Sequence, residues 1–247
     1  MSADDAPVNL THHFLIAMPG LNDELFGRSV VYVCEHTPKG ALGLIVNKPS
    51  GITIDDLFQR LDLPLGRPDW AGMPVLRGGP LQTERGFVLH EDMGEPLPLM
   101  VAQPPRAVAD TPAPASAVPA LLQAAGAAPA VDAPASSTGE GAASPSGRPT
   151  VYASSLKVAG SGLELTTSRD VLEAVSAGAG PRQILITLGY ASWGEGQLES
   201  ELGDNAWLTV PADPALLFEV PLEERYERAM ALLGVQPWML APGAGRA

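Results

Sequence analysis

Cys34 and His36 stand two residues apart in the run Ser29-Val-Val-Tyr-Val-Cys-Glu-His36. Side chains at i and i+2 of a β-strand share a face, so the spacing predicts a thiol beside an imidazole. A neighbouring imidazolium favours the thiolate, the form that attacks electrophiles and is oxidised. One reading of the pair is therefore a redox sensor or thiol enzyme, with Arg28 as a second cation to bring within reach. The competing reading, and the commoner role of an unpaired cysteine, is a small apolar residue buried with Val30 and Tyr32.

Other residues invite chemistry less directly. The histidines are His12, His13, His36 and His90. No His-x-x-x-His or Cys-x-x-Cys spacing joins them, so no metal site is expected. His13, His36 and His90 could meet only if three strands converged. Arg77-Gly78-Gly79-Pro80 is a glycine turn beside a cation, where backbone N–H groups could cradle an anion; a sharp chain reversal is the plainer role. Gly189-Tyr190-Ala-Ser-Trp193-Gly194 follows a strand and precedes a helix, but the nucleophile elbow needs glycine two places before serine. Its glycines are expected to make a tight turn and Trp193 to pack in the core. The acids Glu195, Glu199, Glu201 and Asp204 read as a solvated helix face, with a divalent-cation site as the other reading. Neither a Walker loop nor a dinucleotide fingerprint is present, so no cofactor is expected. Arg28, Arg77, Gly78, Gly79, His90, Tyr190 and Trp193 form the candidate binding set, and Cys34 and His36 the candidate catalytic pair.

The elements that must position these groups follow from periodicity and punctuation. Strands are expected over His12–Met18, Ser29–His36, Ala41–Val46, Val75–Arg77 and Gly86–His90. Thr37-Pro-Lys-Gly40 joins the second and third as a hairpin. Thr53-x-x-Asp56 caps a helix over Ile54–Leu61, and Thr167-x-x-Asp170 caps one over Ser168–Ala177. Further strands are expected over Val151–Ser154, Arg182–Leu188 and Ala206–Val210, with a helix over Gln197–Leu202. Leu222, Tyr226, Ala229, Met230 and Leu233 mark an amphipathic helix stopped by Gly234. Strands and helices intermix around a hairpin, which implies a mixed sheet with covering helices, of α+β type.

Between the two dense halves lies Gln103–Pro149, in which 15 Ala and 9 Pro fill half of 47 positions. Its prolines recur too often for a helix and alanine forms strands poorly. It is expected to be a disordered surface insertion in a single domain formed by residues 9–102 and 150–247. The net charge is −13 and only three lysines occur in 247 residues. Such a field repels phosphate backbones, which disfavours direct nucleic-acid binding. One cysteine allows no intrachain disulfide. The start of the chain is acidic and lacks an apolar segment, and no run of about 18 apolar residues occurs. A cytoplasmic protein off the membrane is expected.

The blocks His13-Phe-Leu-Ile-Ala-Met-Pro19, Arg28–His36, Gly40-Ala-Leu-Gly-Leu-Ile-Val-Asn-Lys-Pro49, Arg77-Gly-Gly-Pro80 and Arg85-Gly-Phe-Val-Leu-His90 occur in order. Thr167-Ser-Arg-Asp170, Leu188-Gly-Tyr-Ala-Ser-Trp193, Gly196-Gln-Leu-Glu199 and Asp204-Asn-Ala-Trp-Leu208 follow them. Together they resemble the bacterial YqgE/AlgH family, across nearly all of both halves. Gln103–Pro149 departs from the family pattern, being longer than the usual connection there. The resemblance implies an α/β fold whose mixed, bifurcated sheet curls into a pseudo-barrel with covering helices. It also implies a cytosolic protein without established catalysis, in a family whose AlgH branch is linked to transcriptional control of exopolysaccharide production. With no helix-turn-helix signal and an acidic balance, such control is expected to run through a protein partner or a small ligand.

Overall fold

The computed structural model describes residues 9–21, 23–93 and 152–235. The expected insertion at 103–149 lies outside them. In chain order the strands are β1 His13–Ala17, β2 Val30–Thr37, β3 Gly40–Ile45, β4 Pro49–Thr53, β5 Pro74–Arg77, β6 Leu81–Glu91, β7 Ser155–Val158, β8 Leu163–Thr166, β9 Ile184–Gly194 and β10 Trp207–Pro211. The helices are α1 Ile54–Arg60, α2 Asp170–Ser176, α3 Gln197–Gly203, α4 Pro214–Phe218 and α5 Leu222–Leu232.

β9 joins the two halves of the chain. It pairs antiparallel with β3 through residues 191–194 and with β6 through residues 184–190, and parallel with β5 at Thr187 and Leu188. Three partners on one strand fork the sheet. The main path runs β10-β1-β2-β3-β9-β6-β8-β7, and β4 and β5 form the side branch. The sheet curls into a half-barrel. Its hollow holds Phe14, Tyr32, Leu44, Phe87 and Leu165, closed by Leu217 of α4 and Tyr226 and Met230 of α5. A second cluster, with Val31, Val33, Trp193 and Trp207, packs under Leu198 of α3. A third sets Val88 and Ile186 against Phe58 of α1 and Val171 of α2. Because both faces are covered, β2 and β3 read as unbroken apolar runs with little alternation.

Local chemistry explains most boundaries. The Thr53 hydroxyl accepts from Asp56 N–H while the Asp56 carboxylate accepts from Thr53 N–H, so the capping box opens α1 as expected. The second box does not form. α2 starts at Asp170 with no side-chain cap. Thr167 Oγ1 is drawn instead to Arg85 and Ser154, and Asp170 accepts from Ala153 N–H at 2.8 Å. A strand expected over Val151–Ser154 begins at Ser155. β9 does not stop at Gly189. That residue takes φ +73° and pairing resumes beyond it, at Tyr190 with Leu81 and at Trp193 with Ala41. A Cβ at Gly189 would lie 2.6 Å from the Leu81 carbonyl oxygen, so only glycine fits this kink.

Candidate functional site

A β-bulge decides the fate of the Cys34–His36 pair. Val33 faces Gly43 and Glu35 faces Leu42, which leaves Cys34 without an opposite number on β3. One extra residue shifts the alternation of every side chain after it. Cys34 therefore joins Tyr32 and Phe14 in the hollow of the half-barrel. His36 sits opposite Ala41, on the face covered by α3. The two side chains point to opposite faces, and the imidazole cannot activate the thiol. Cys34 is 1% exposed, with Sγ 3.8 Å from the Tyr32 carbonyl oxygen. Burial, and then the nearby Glu35 carboxylate, push its thiol far up, toward the inert form.

His36 is a structural clasp. Its Nδ1 accepts the Leu10 N–H at 3.0 Å, so Nε2 carries the proton and donates to Glu199 Oε1 at 2.9 Å. Its backbone N–H donates to Thr11 Oγ1 at 2.9 Å. The ring thus ties the segment before β1 to α3. Glu201, one α3 position that the acidic run offered as a solvated face, does more. Its Oε2 accepts the indole N–H of Trp193 and of Trp207, each at 2.8 Å, and its Oε1 accepts from Gln197 Nε2 at 2.9 Å. Two members of the acidic cluster are therefore bound to the sheet, and among the described residues no three His, Cys, Asp or Glu side chains gather as metal ligands.

His90, Gly78, Gly79, Tyr190 and Trp193 are buried within the fold. His90 is fully buried; Nδ1 donates to the Glu91 carbonyl at 2.8 Å and Nε2 accepts from Thr166 Oγ1 at 2.8 Å. The His13 ring meets the Thr11 carbonyl at 3.1 Å, so the imidazoles of His13, His36 and His90 have different partners and do not bond one another. The Gly78 N–H is taken by the Leu188 carbonyl at 2.8 Å. A Cβ on Gly78 would fall 2.1 Å from Gly189 O, and one on Gly79 2.1 Å from Tyr190 C. Both are glycine because backbone packs on backbone there. Tyr190 is buried against Phe87 at 5.2 Å, and Trp193 against Trp207 at 6.0 Å.

Arg28 and Arg77 remain on the surface. The Arg28 guanidinium lies 4.6 Å over the Tyr226 ring and 3.7 Å from Glu227. Lys48 donates to the Gly27 carbonyl at 2.7 Å, and burial together with Arg28 and Arg77 pulls its ammonium below the usual lysine range. Three cations thus cluster on a protein of net charge −13.

A fourth cation stands nearby, and it was not singled out from the sequence. Arg225, in the first turn of α5, is 7% exposed. Its Nε donates to the Val220 carbonyl at 2.9 Å and its Nη1 to the Val46 carbonyl at 2.5 Å. No carboxylate among the described residues lies within 4.0 Å of it. Nη2 has no hydrogen bond among the described residues, yet it is not sealed off from solvent. Burial pulls the guanidinium down to about 10, which leaves it charged at neutral pH. Arg225 lines a cavity of about 260 Å³ with Leu76 of β5, Ile184 and Ile186 of β9, and the stretch from Leu217 in α4 to Leu222 at the start of α5. Among the described residues, Glu219, which is exposed, is the only acid on the lining, and no His, Cys, Ser, Thr, Lys or Tyr occurs there. The signal in sequence was slight. Arg225 falls three residues after Leu222 and four before Ala229, inside the apolar stripe of the helix.

The comparisons with known proteins agree with this architecture. The profile of the AlgH-like family (DUF179) matches residues 14–114 and 142–238. A UPF0301 protein of Paracidovorax citrulli is 56% identical over 247 residues, covering all of both chains. One from Delftia acidovorans is 51% identical with the same coverage. Among solved structures, the AlgH protein from Pseudomonas aeruginosa is similar at TM-score 0.59 and 38% identity, covering all of both chains. A Corynebacterium diphtheriae protein shares the fold at TM-score 0.54 and 15% identity, over 93% of this chain and 88% of its own. The chain belongs to the AlgH-like (UPF0301) family.

Proposed function

We propose that this protein is a non-enzymatic regulatory protein of the cytosol that works by binding a small ligand or a protein partner. The observation that carries this is the lining of the Arg225 cavity. Among the described residues it offers apolar walls and one guanidinium without a countercharge but no nucleophile and no histidine, so it is suited to holding a molecule and not to turning it over. The thiol supports the same reading from the other side, being buried away from His36. Regulation of transcription, if this is the output, would run through a partner. A charge of −13 works against operator binding. No helix among the described residues is long and apolar enough to cross a membrane.

The test is the transcript profile of a deletion strain carrying single variants. Leu222→Trp, which fills the cavity from a half-buried position, is expected to behave as the deletion while remaining folded. Cys34→Ser is expected to restore the wild-type profile. Restoration by Leu222→Trp together with failure of Cys34→Ser would overturn the binding reading in favour of the thiol.

A further inference from the structure

We infer that the Arg225 cavity takes a small amphiphilic anion: an apolar chain ending in a carboxylate, with the carboxylate on the Arg225 guanidinium. The inference rests on the binding reading above and names its ligand class.

Three observations point the same way. The first is charge. A buried cation is ordinarily paired, because taking it out of water unpaired is costly. Arg225 is 7% exposed, and among the described residues its hydrogen bonds go to two backbone carbonyls and to no carboxylate. The second is geometry. Guanidinium binds carboxylate through two parallel N–H donors. Nε and part of Nη1 are engaged, Nη2 makes no hydrogen bond among the described residues, and Arg225 lines the cavity. The third is the remaining wall. Leu76, Ile184, Ile186, Leu217 and Leu222 offer no polar side-chain atom, so the ligand's body must be apolar. At about 260 Å³ the cavity equals the volume of roughly nine waters, which suits a chain of about ten heavy atoms.

Two charges oppose the anion and do not decide the matter. Glu219 lines the cavity but is exposed, so solvent screens it. The net charge of −13 acts from a distance, and beyond about 8 Å at physiological salt such fields are largely screened. The guanidinium acts at contact.

Sodium octanoate is the probe, with octan-1-ol and octylammonium as the neutral and cationic controls. Binding is read by amide chemical-shift changes in the full-length protein. Octanoate is expected to shift Leu76, Ile186 and Leu222 and to bind at least about tenfold tighter than octanol, the margin of a charge-assisted contact. Arg225→Gln should remove that margin, Arg225→Lys should keep part of it, and Leu222→Trp should abolish all binding with Arg225 intact. Equal affinity for octanoate and octanol, or octanoate binding unchanged in Arg225→Gln, would overturn the anion assignment and leave the cavity as an apolar binding site. No shift with any of the three probes also overturns the assignment. If Leu222→Trp then restores the deletion strain as well, the binding reading fails with it.

Discussion

Glu201 of α3 and Arg225 of α5 are both charged side chains set against the sheet, and the fold treats them in opposite ways. Glu201 on α3 receives three N–H donors, two of them from indoles buried beneath it. Arg225 on α5 receives no countercharge among the described residues and keeps one nitrogen open. A satisfied charge ties elements together; an unsatisfied one lowers stability unless something else compensates it. Glu201 is thus part of what folds the protein. Arg225 is retained at a cavity where a ligand can supply what the chain does not. The same contrast separates His36, whose ring nitrogens are both engaged, from the open guanidinium.

The largest test of this contrast is Glu201→Leu. It leaves the N–H groups of Trp193 and Trp207 without acceptors under α3 and is expected to cost about 3 kcal/mol in urea unfolding. A loss under about 1 kcal/mol would mean that the clasp is ornamental. His36→Phe comes next, at about 2 kcal/mol for two lost bonds. It should also speed hydrogen exchange at the Leu10 amide, which His36 Nδ1 accepts; unchanged exchange there would count against the assigned tautomer.

Cys34 sharpens the closed side. Iodoacetamide at about pH 8 should label the native protein only through transient opening, orders of magnitude more slowly than the denatured chain. Cys34→Ser should cost about 1 kcal/mol. Native labelling at the denatured rate would reopen the thiol model. The smallest effect is expected at Glu35, whose carboxyl burial raises above the ordinary 4.5. An acid with a raised folded pKa favours folding when protonated, and that contribution fades as pH rises through the folded value. Glu35→Gln should therefore raise the melting temperature slightly at pH 7. The gain should vanish as the solution is acidified below the ordinary glutamate range. A gain that persists in acid would show that the effect is not ionisation.

Much of the frame was legible in the sequence, because dense apolar runs and a capping box are local signals. β2, β3, α1 and α5 fall within a residue or two of where periodicity placed them. What was not legible depends on partners far along the chain. The bulge at Cys34 exists only because β3 pairs on both sides of it, and an i, i+2 rule assumes an unbroken pleat. Gly189 looked like the end of a strand because its neighbours across the kink, Leu81 and Gly79, lie over a hundred residues away. β4, β8 and α4 are short and carry few distinctive residues, so pairing and packing define them and propensity does not. The candidate site shows the same limit. Cys34, His36 and His90 are buried and packed or hydrogen-bonded within the fold, whereas Arg225 was hidden in a helical stripe and revealed by a carbonyl at Val46, 179 positions earlier.

Paired urea unfolding of Arg225→Met and Glu201→Leu tests the central contrast most directly. Removing a lone buried charge offsets the two lost carbonyl contacts, so Arg225→Met should stay within about 1 kcal/mol of the wild type while Glu201→Leu loses about 3 kcal/mol. If Arg225→Met loses as much as Glu201→Leu, Arg225 belongs to the fold and is not held for a ligand.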